Sequence, residues 1–95
     1  LDDVIELAKN NSPNFYITFQ EVYPQFHKKL VEIKPDIYNS ELEFCAFIFL
    51  GFQTKDIAEN SFRSVKTIQN RKNKLRKRLE IKSEEDLYVW FKNLI

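Results

Sequence analysis

One glycine and three prolines in 95 residues are too few turn formers for a many-stranded β fold, so helices should dominate. The same scarcity rules out a Gly-rich phosphate loop. With one cysteine, Cys45, no internal disulfide can form, and reduced, cytoplasmic surroundings are expected. One histidine, His27, beside one cysteine leaves almost no material for a zinc site or a Cys/His catalytic pair. Cys45 itself lies in an apolar stretch and reads as a small core residue. The paired acids Glu41 and Glu43, and Glu84 to Asp86, sit where helices start and do not read as catalytic carboxylates. No enzyme activity, cofactor or small-molecule substrate is therefore expected. The longest apolar run, Phe44 to Leu50, is far short of the ~20 residues that span a membrane. No signal-peptide pattern opens the chain. Methionine is absent and residue 1 is Leu, so a piece of a longer protein is expected, with its signal sensed upstream.

Nine Phe, four Tyr and one Trp make this a globular sequence rather than a disordered tail. Its net charge of +1 hides a sharp division. Residues 1–60 hold ten acids and five bases, residues 61–82 nine bases and one acid, and residues 83–95 three acids and one base. Positive charge concentrated in one short segment points to an anionic partner for it.

Helical periodicity runs through most of the chain. Val4, Ile5, Leu7 and Ala8 suit the end of a linking helix or coiled coil. Ser12-Pro13 reads as a helix start. Phe15, Phe19, Val22, Phe26, Leu30 and Ile33 then recur at three- and four-residue steps as one apolar face. Pro24 interrupts that face, so it is either one kinked helix or two helices meeting near Tyr23. Asn39 or Ser40 caps a central apolar helix that Gly51 ends. Gln53 or Thr54 caps a short helix with Ile57 and Ala58. After a break near Ser61 to Arg63, Ser64 caps a long helix over about 65–80. Ser83, with Asp86 three residues on, opens a last helix from Glu84 to about Leu94.

The 65–80 helix carries the chemistry. Val65, Ile68, Leu75 and Leu79 share a dry face, with Lys72 on the same stripe and expected to snorkel or lie at its edge. The other face carries Lys66, Gln69, Asn70, Asn73 and Lys77, flanked by Arg63, Arg71, Lys74, Arg76 and Arg78. Cations bind phosphates and supply affinity, whereas Asn and Gln can bond an adenine edge bidentately and supply sequence choice. The amides lie in the N-terminal half, the half that enters the groove in recognition helices. Taken alone, such a patch reads equally well as a solvated basic face. The aromatics Phe15, Tyr16, Phe19, Tyr23 and Phe26 could stack on bases, but their spacing favours core packing.

The residues before that helix shift the balance. Lys55-Asp56-Ile57-Ala58, then Ser64, Thr67 and Ile68, then Arg78-Leu79-Glu80-Ile81, with Glu41 and Glu43 upstream, keep the order and spacing of the LuxR/GerE-type helix-turn-helix family. Residues 37–95 resemble that family. Residues 1–36 lie outside the pattern, as an N-terminal helical extension or the end of a linker from an upstream domain. The resemblance implies an all-α, LuxR/GerE-like four-helix domain of a bacterial transcription regulator binding double-stranded DNA, with the 65–80 helix in the major groove. It implies that Gln69, Asn70 and Asn73 face bases. Thr54, Lys55, Lys66, Thr67 and Lys77 would contact or approach phosphates, joined by Arg63, Ser64, Arg71, Lys74 and Arg78 from the basic cluster and the helix start. The last helix often mediates dimers in the family, which makes Leu87, Trp90, Phe91 and Leu94 candidates for a homodimer contact; the alternative is that they pack internally. Departures are Ser61 and Arg63 at turn positions that are usually apolar, where Phe62 is expected to supply packing through a shifted turn, Glu80 in place of a usual Gly, and Arg71 in place of a frequent His. The alternatives are a helical protein-interaction or dimerisation module and the promoter-reading helix-turn-helix of a sigma factor. The capped 84–94 helix argues against the latter.

Overall fold

The computed structural model describes residues 2–95, and these form seven helices and no strand. They are α1 (Asp2–Lys9), α2 (Phe15–Val22), α3 (Pro24–Ile33), α4 (Asn39–Phe49), α5 (Thr54–Ser61), α6 (Val65–Arg78) and α7 (Leu87–Lys92). Among them α1 packs with α2, α2 with α3 and α4, α4 with α7, and α5 with α6. The fold is all-α, and no helix among the described residues is long and apolar enough to cross a membrane.

Aromatic rings hold the first half against the second. Phe15 stacks on Phe47 at 4.7 Å between centroids, and Phe19 meets Phe26 edge-on at 5.2 Å. Phe26 in turn lies 4.9 Å from Phe49 and 6.0 Å from Phe91 of α7. Offset and edge-to-face pairs of this kind each contribute about 0.5–1.5 kcal/mol beyond the area they bury. Val4 and Ala8 of α1 join the same cluster. Helices α1–α3, within the region expected as an extension or linker end, place Val4, Ala8, Phe15, Phe19, Phe26 and Leu30 in one core cluster with residues of α4 and α7. The radius of gyration, 12.5 Å, matches the ~12 Å of a single packed body of this length.

The apolar face expected over residues 15–33 is two helices. Tyr23, with ψ of 64°, breaks the run, and Pro24 begins α3 at a position where its missing N–H costs nothing. Phe15, Phe19, Phe26 and Leu30 are buried, but Val22 and Ile33, the last residues of α2 and α3, are exposed. Three further starts differ from expectation. Ser12 closes α1 instead of opening α2: its N–H reaches the Leu7 carbonyl at 3.0 Å, and α2 begins at Phe15. Tyr38, neither Asn39 nor Ser40, is the N-cap of α4, its N–H held by the Glu41 carboxylate at 3.0 Å. The last helix starts at Leu87, capped by the Asp86 carboxylate, which accepts from the N–H groups of Tyr88 at 2.8 Å and Val89 at 3.1 Å. Residues 82–85 stay a turn because Arg76 donates to the carbonyls of Lys82 and Glu85.

Four helix ends close through a residue with positive φ: Asn11, Gly51, Phe62 and Glu80. In each case the following N–H bonds a carbonyl five residues back, as in Phe52 to Phe47 and Ile81 to Arg76. Gly51, at φ of 91°, suits the position. Glu80, at φ of 56°, does not, since a side chain there costs about 1–2 kcal/mol. Glu80→Gly should therefore raise unfolding free energy by roughly 0.5–1 kcal/mol once the added freedom of the unfolded chain is subtracted. Urea denaturation checks this, and no gain would mean that α6 does not end in this geometry.

Candidate nucleic-acid interface

The α5–turn–α6 unit is built from both ends. At the start of α5, Gln53 is the N-cap and its N–H bonds the Asp56 carboxylate at 3.0 Å. At the turn, Phe62 takes the left-handed conformation and Arg63 N–H reaches the Ala58 carbonyl at 3.0 Å. Ser64 then caps α6, its hydroxyl accepting from Thr67 N–H at 3.1 Å. Phe62 does not fill the turn as expected: it is 93% exposed, because the left-handed bend points it away from the core. Ser61 is satisfied instead by donating to the Ile57 carbonyl at 2.6 Å.

Ile68, Lys72 and Leu75 form the buried side of α6. Lys72 does not snorkel to solvent. It is only 9% exposed, and its Nζ donates to Thr54 Oγ1 at 2.6 Å and to the Tyr88 hydroxyl at 2.7 Å. Tyr88 passes the link on by donating to the Phe52 carbonyl at 2.7 Å. Burial lowers the pKa of Lys72, nearby Arg76 lowers it further, and Asp86 opposes the shift. Burial chiefly, with Asp56 and Asp86 adding, pushes the Tyr88 phenol up to about 12, so it remains a donor. Sequence periodicity placed Lys72 on the dry stripe but could not show its two hydroxyl partners. Val65, expected on the same stripe, is 53% exposed, as it precedes the first turn that packs on α5.

Two other cations, Arg76 and Arg78, are engaged within the fold. Arg78 makes a bidentate pair with Glu41, with Nε to Oε2 and Nη2 to Oε1 both at 2.8 Å, and lies over the Tyr38 ring. Arg76 holds the 82–85 turn. Arg71 remains exposed, with its guanidinium 5.2 Å from the centre of the Phe44 ring. By contrast Arg63, Lys66, Lys74, Lys77 and Lys82 are exposed and make no ion pair among the described residues. Gln69, Asn70 and Asn73 are exposed on the same helix, and their side chains make no hydrogen bond among the described residues.

The structure therefore brings Lys66, Thr67, Gln69, Asn70, Asn73, Lys74 and Lys77 onto one solvent-facing surface of α6. Lys55 is exposed near the start of α5, and Ser64 at the start of α6. Thr54 is tied to Lys72, and Arg78 is turned to α4. Of the four expected dimer residues, Leu87 and Phe91 are buried in the core and Trp90 and Leu94 are partly covered; Val89 and Ile95, which are not among them, are exposed. Cys45 is fully buried, and burial raises its pKa; His27 Nδ1 lies 2.8 Å from the Tyr16 hydroxyl. No cluster of three or more metal-ligating side chains occurs among the described residues. Neither a family model, nor a curated protein, nor a solved structure matches the chain.

The Glu41–Arg78 pair has a pH signature. Arg78's hydrogen bond is the main cause that holds the Glu41 carboxyl below its ordinary 4.5, against the opposing effect of burial and with help from Tyr38 N–H and Lys74. A carboxyl depressed in the fold contributes stability above about pH 4.5 and loses it as pH falls through the lowered value, where the unfolded chain has already taken the proton. Glu41→Gln keeps the bond to Tyr38 but not the charge. Its deficit in unfolding free energy against the parent should be full at pH 6–7 and shrink below pH 4.5. A deficit independent of pH would mean that the pair contributes through shape alone.

Proposed function

We propose that this chain reads duplex DNA by laying α6 in the major groove, as the DNA-binding part of a bacterial, cytoplasmic transcription regulator of the LuxR/GerE type. The observation that carries this reading is the outer face of α6. Gln69, Asn70 and Asn73 stand exposed there among Lys66, Lys74 and Lys77, which have no ion pair among the described residues. Exposed amides framed by uncommitted cations are what base readout on a phosphate scaffold requires. The cations neutralise phosphates and release counterions, while the amides choose between base edges.

Lys55 and Ser64 at the helix starts, with Thr67 and Arg63, extend the phosphate contacts around the reading face. Arg71 joins them while stacked on Phe44. Thr54 and Arg78 serve the interface by orienting it, since Thr54 accepts from Lys72 and Arg78 donates to Glu41. Two copies joined near Trp90 and Leu94 would present two α6 helices to half-sites about one DNA turn apart.

Selection of bound sequences from random duplex DNA tests the reading. A recurring motif should emerge, and replacing Gln69, Asn70 and Asn73 together by Ala should relax the preference at several positions while leaving weak, salt-sensitive binding. Each amide pair on a base edge is worth about 1–3 kcal/mol of discrimination, or roughly 5- to 150-fold. Absence of binding at low salt by folded protein would overturn the reading and favour an acidic protein partner for the basic face.

A further inference from the structure

Val65 is a branched apolar side chain left 53% exposed at the first position of α6. Its sequence pattern assigned it to the core, yet the buried side of the helix begins only at Ile68. At 3.6 residues per turn, positions four apart are neighbours on the helix surface, each step turning about 40° around the axis, so Val65 lies at the border between the buried side and the amide row. Val65, Gln69, Asn73 and Lys77 are such a series, and all four are exposed. Val65 thus heads the row whose next two members are amides. It also stands directly after the Ser64 cap, at the end of the helix that penetrates the groove most deeply in helix-turn-helix docking.

An apolar group on that row has a specific chemical complement. The only apolar group that the major groove offers is the C5-methyl of thymine. Water is displaced from both surfaces when the methyl meets a valine, whereas cytosine at that position would present a hydrogen-bond donor to a side chain unable to accept it. Resting on the duplex-reading proposal above, we infer that Val65 is a specificity-determining residue that selects a thymine through its methyl group, one step along the groove from the base that Gln69 reads.

The experiment uses the parent protein, the Val65→Ser variant and the duplex obtained by selection. Each thymine of the half-site is replaced in turn by deoxyuridine, which removes the methyl and leaves pairing intact. Burial of one methyl corresponds to about a 3- to 5-fold change in affinity. For the parent protein, one position should show that loss. Val65→Ser should bind the thymine duplex more weakly by a similar factor and no longer distinguish thymine from deoxyuridine there. Val65 is exposed, so the variant should fold, and its circular dichroism should match the parent's. If a motif is bound and the amide variants relax it, but deoxyuridine costs the parent nothing or costs both proteins the same, the Val65 inference is wrong and the reading of the amides stands. If no motif emerges from selection, the duplex-reading proposal fails and takes this inference with it.

Discussion

The Lys72 ammonium is the constraint around which the α5–turn–α6 unit is arranged. A cation withdrawn from water must be hydrogen-bonded, and here its partners are the Thr54 and Tyr88 hydroxyls. These come from the first residue of α5 and the second of α7, so one side chain of α6 ties three helices together. Tyr88 adds the Phe52 carbonyl, which fixes the loop leading into α5. No carboxylate among the described residues pairs directly with the ammonium, so burial lowers its pKa with only Asp86 opposing. A neutral stem of similar shape would escape that penalty but would leave both hydroxyls without their shared donor. With Lys72 held inward, the rotation of α6 about its axis is set, and Asn70, Asn73 and Lys77 have no direction available but outward.

The cations divide according to that geometry. Lys72, Arg76 and Arg78 are fastened to hydroxyls, carbonyls and a carboxylate of the fold, and they hold α6 against α5, the 82–85 turn and α4 respectively. Lys66, Lys74 and Lys77 are left to solvent. Net charge alone would have counted all of them as binding charge. The aromatic core performs the complementary task on the other side: Phe26 touches both Phe49 and Phe91, so α3 supports the helix pair α4–α7 on which α6 rests.

Much of this was legible in the sequence, for physical reasons. The all-α class followed from the shortage of turn formers, the Ser64 cap from its side chain, and the α4 stop from Gly51. The break at Tyr23–Pro24 was visible as an interruption, though only the structure chose two helices over a kink. Local pattern failed where a distant partner decides the outcome. Arg76 keeps residues 82–85 from becoming helical, so Asp86 and not Ser83 starts α7. Lys72 looked misplaced because its hydroxyl partners lie 18 and 16 residues away in sequence. Arg78 reads as a phosphate ligand in the sequence, and its pairing with Glu41, 37 residues away, is not visible there. Leu87 and Phe91 were candidates for an interface because periodicity cannot say which of two apolar faces the N-terminal helices will cover.

On the proposed reading, Lys72, Arg76 and Arg78, which hold α6 in place, are separate from the cations that would meet phosphate. The most direct measurement is the salt dependence of affinity for the selected duplex. Lys66→Ala and Lys77→Ala should each flatten the log–log slope by about 0.9, the release expected per phosphate contact on B-DNA. Lys72→Met, which keeps the stem and removes the charge, should leave the slope unchanged even where it weakens binding. A slope flattened equally by Lys72→Met, or unaffected by the other two, would contradict the account.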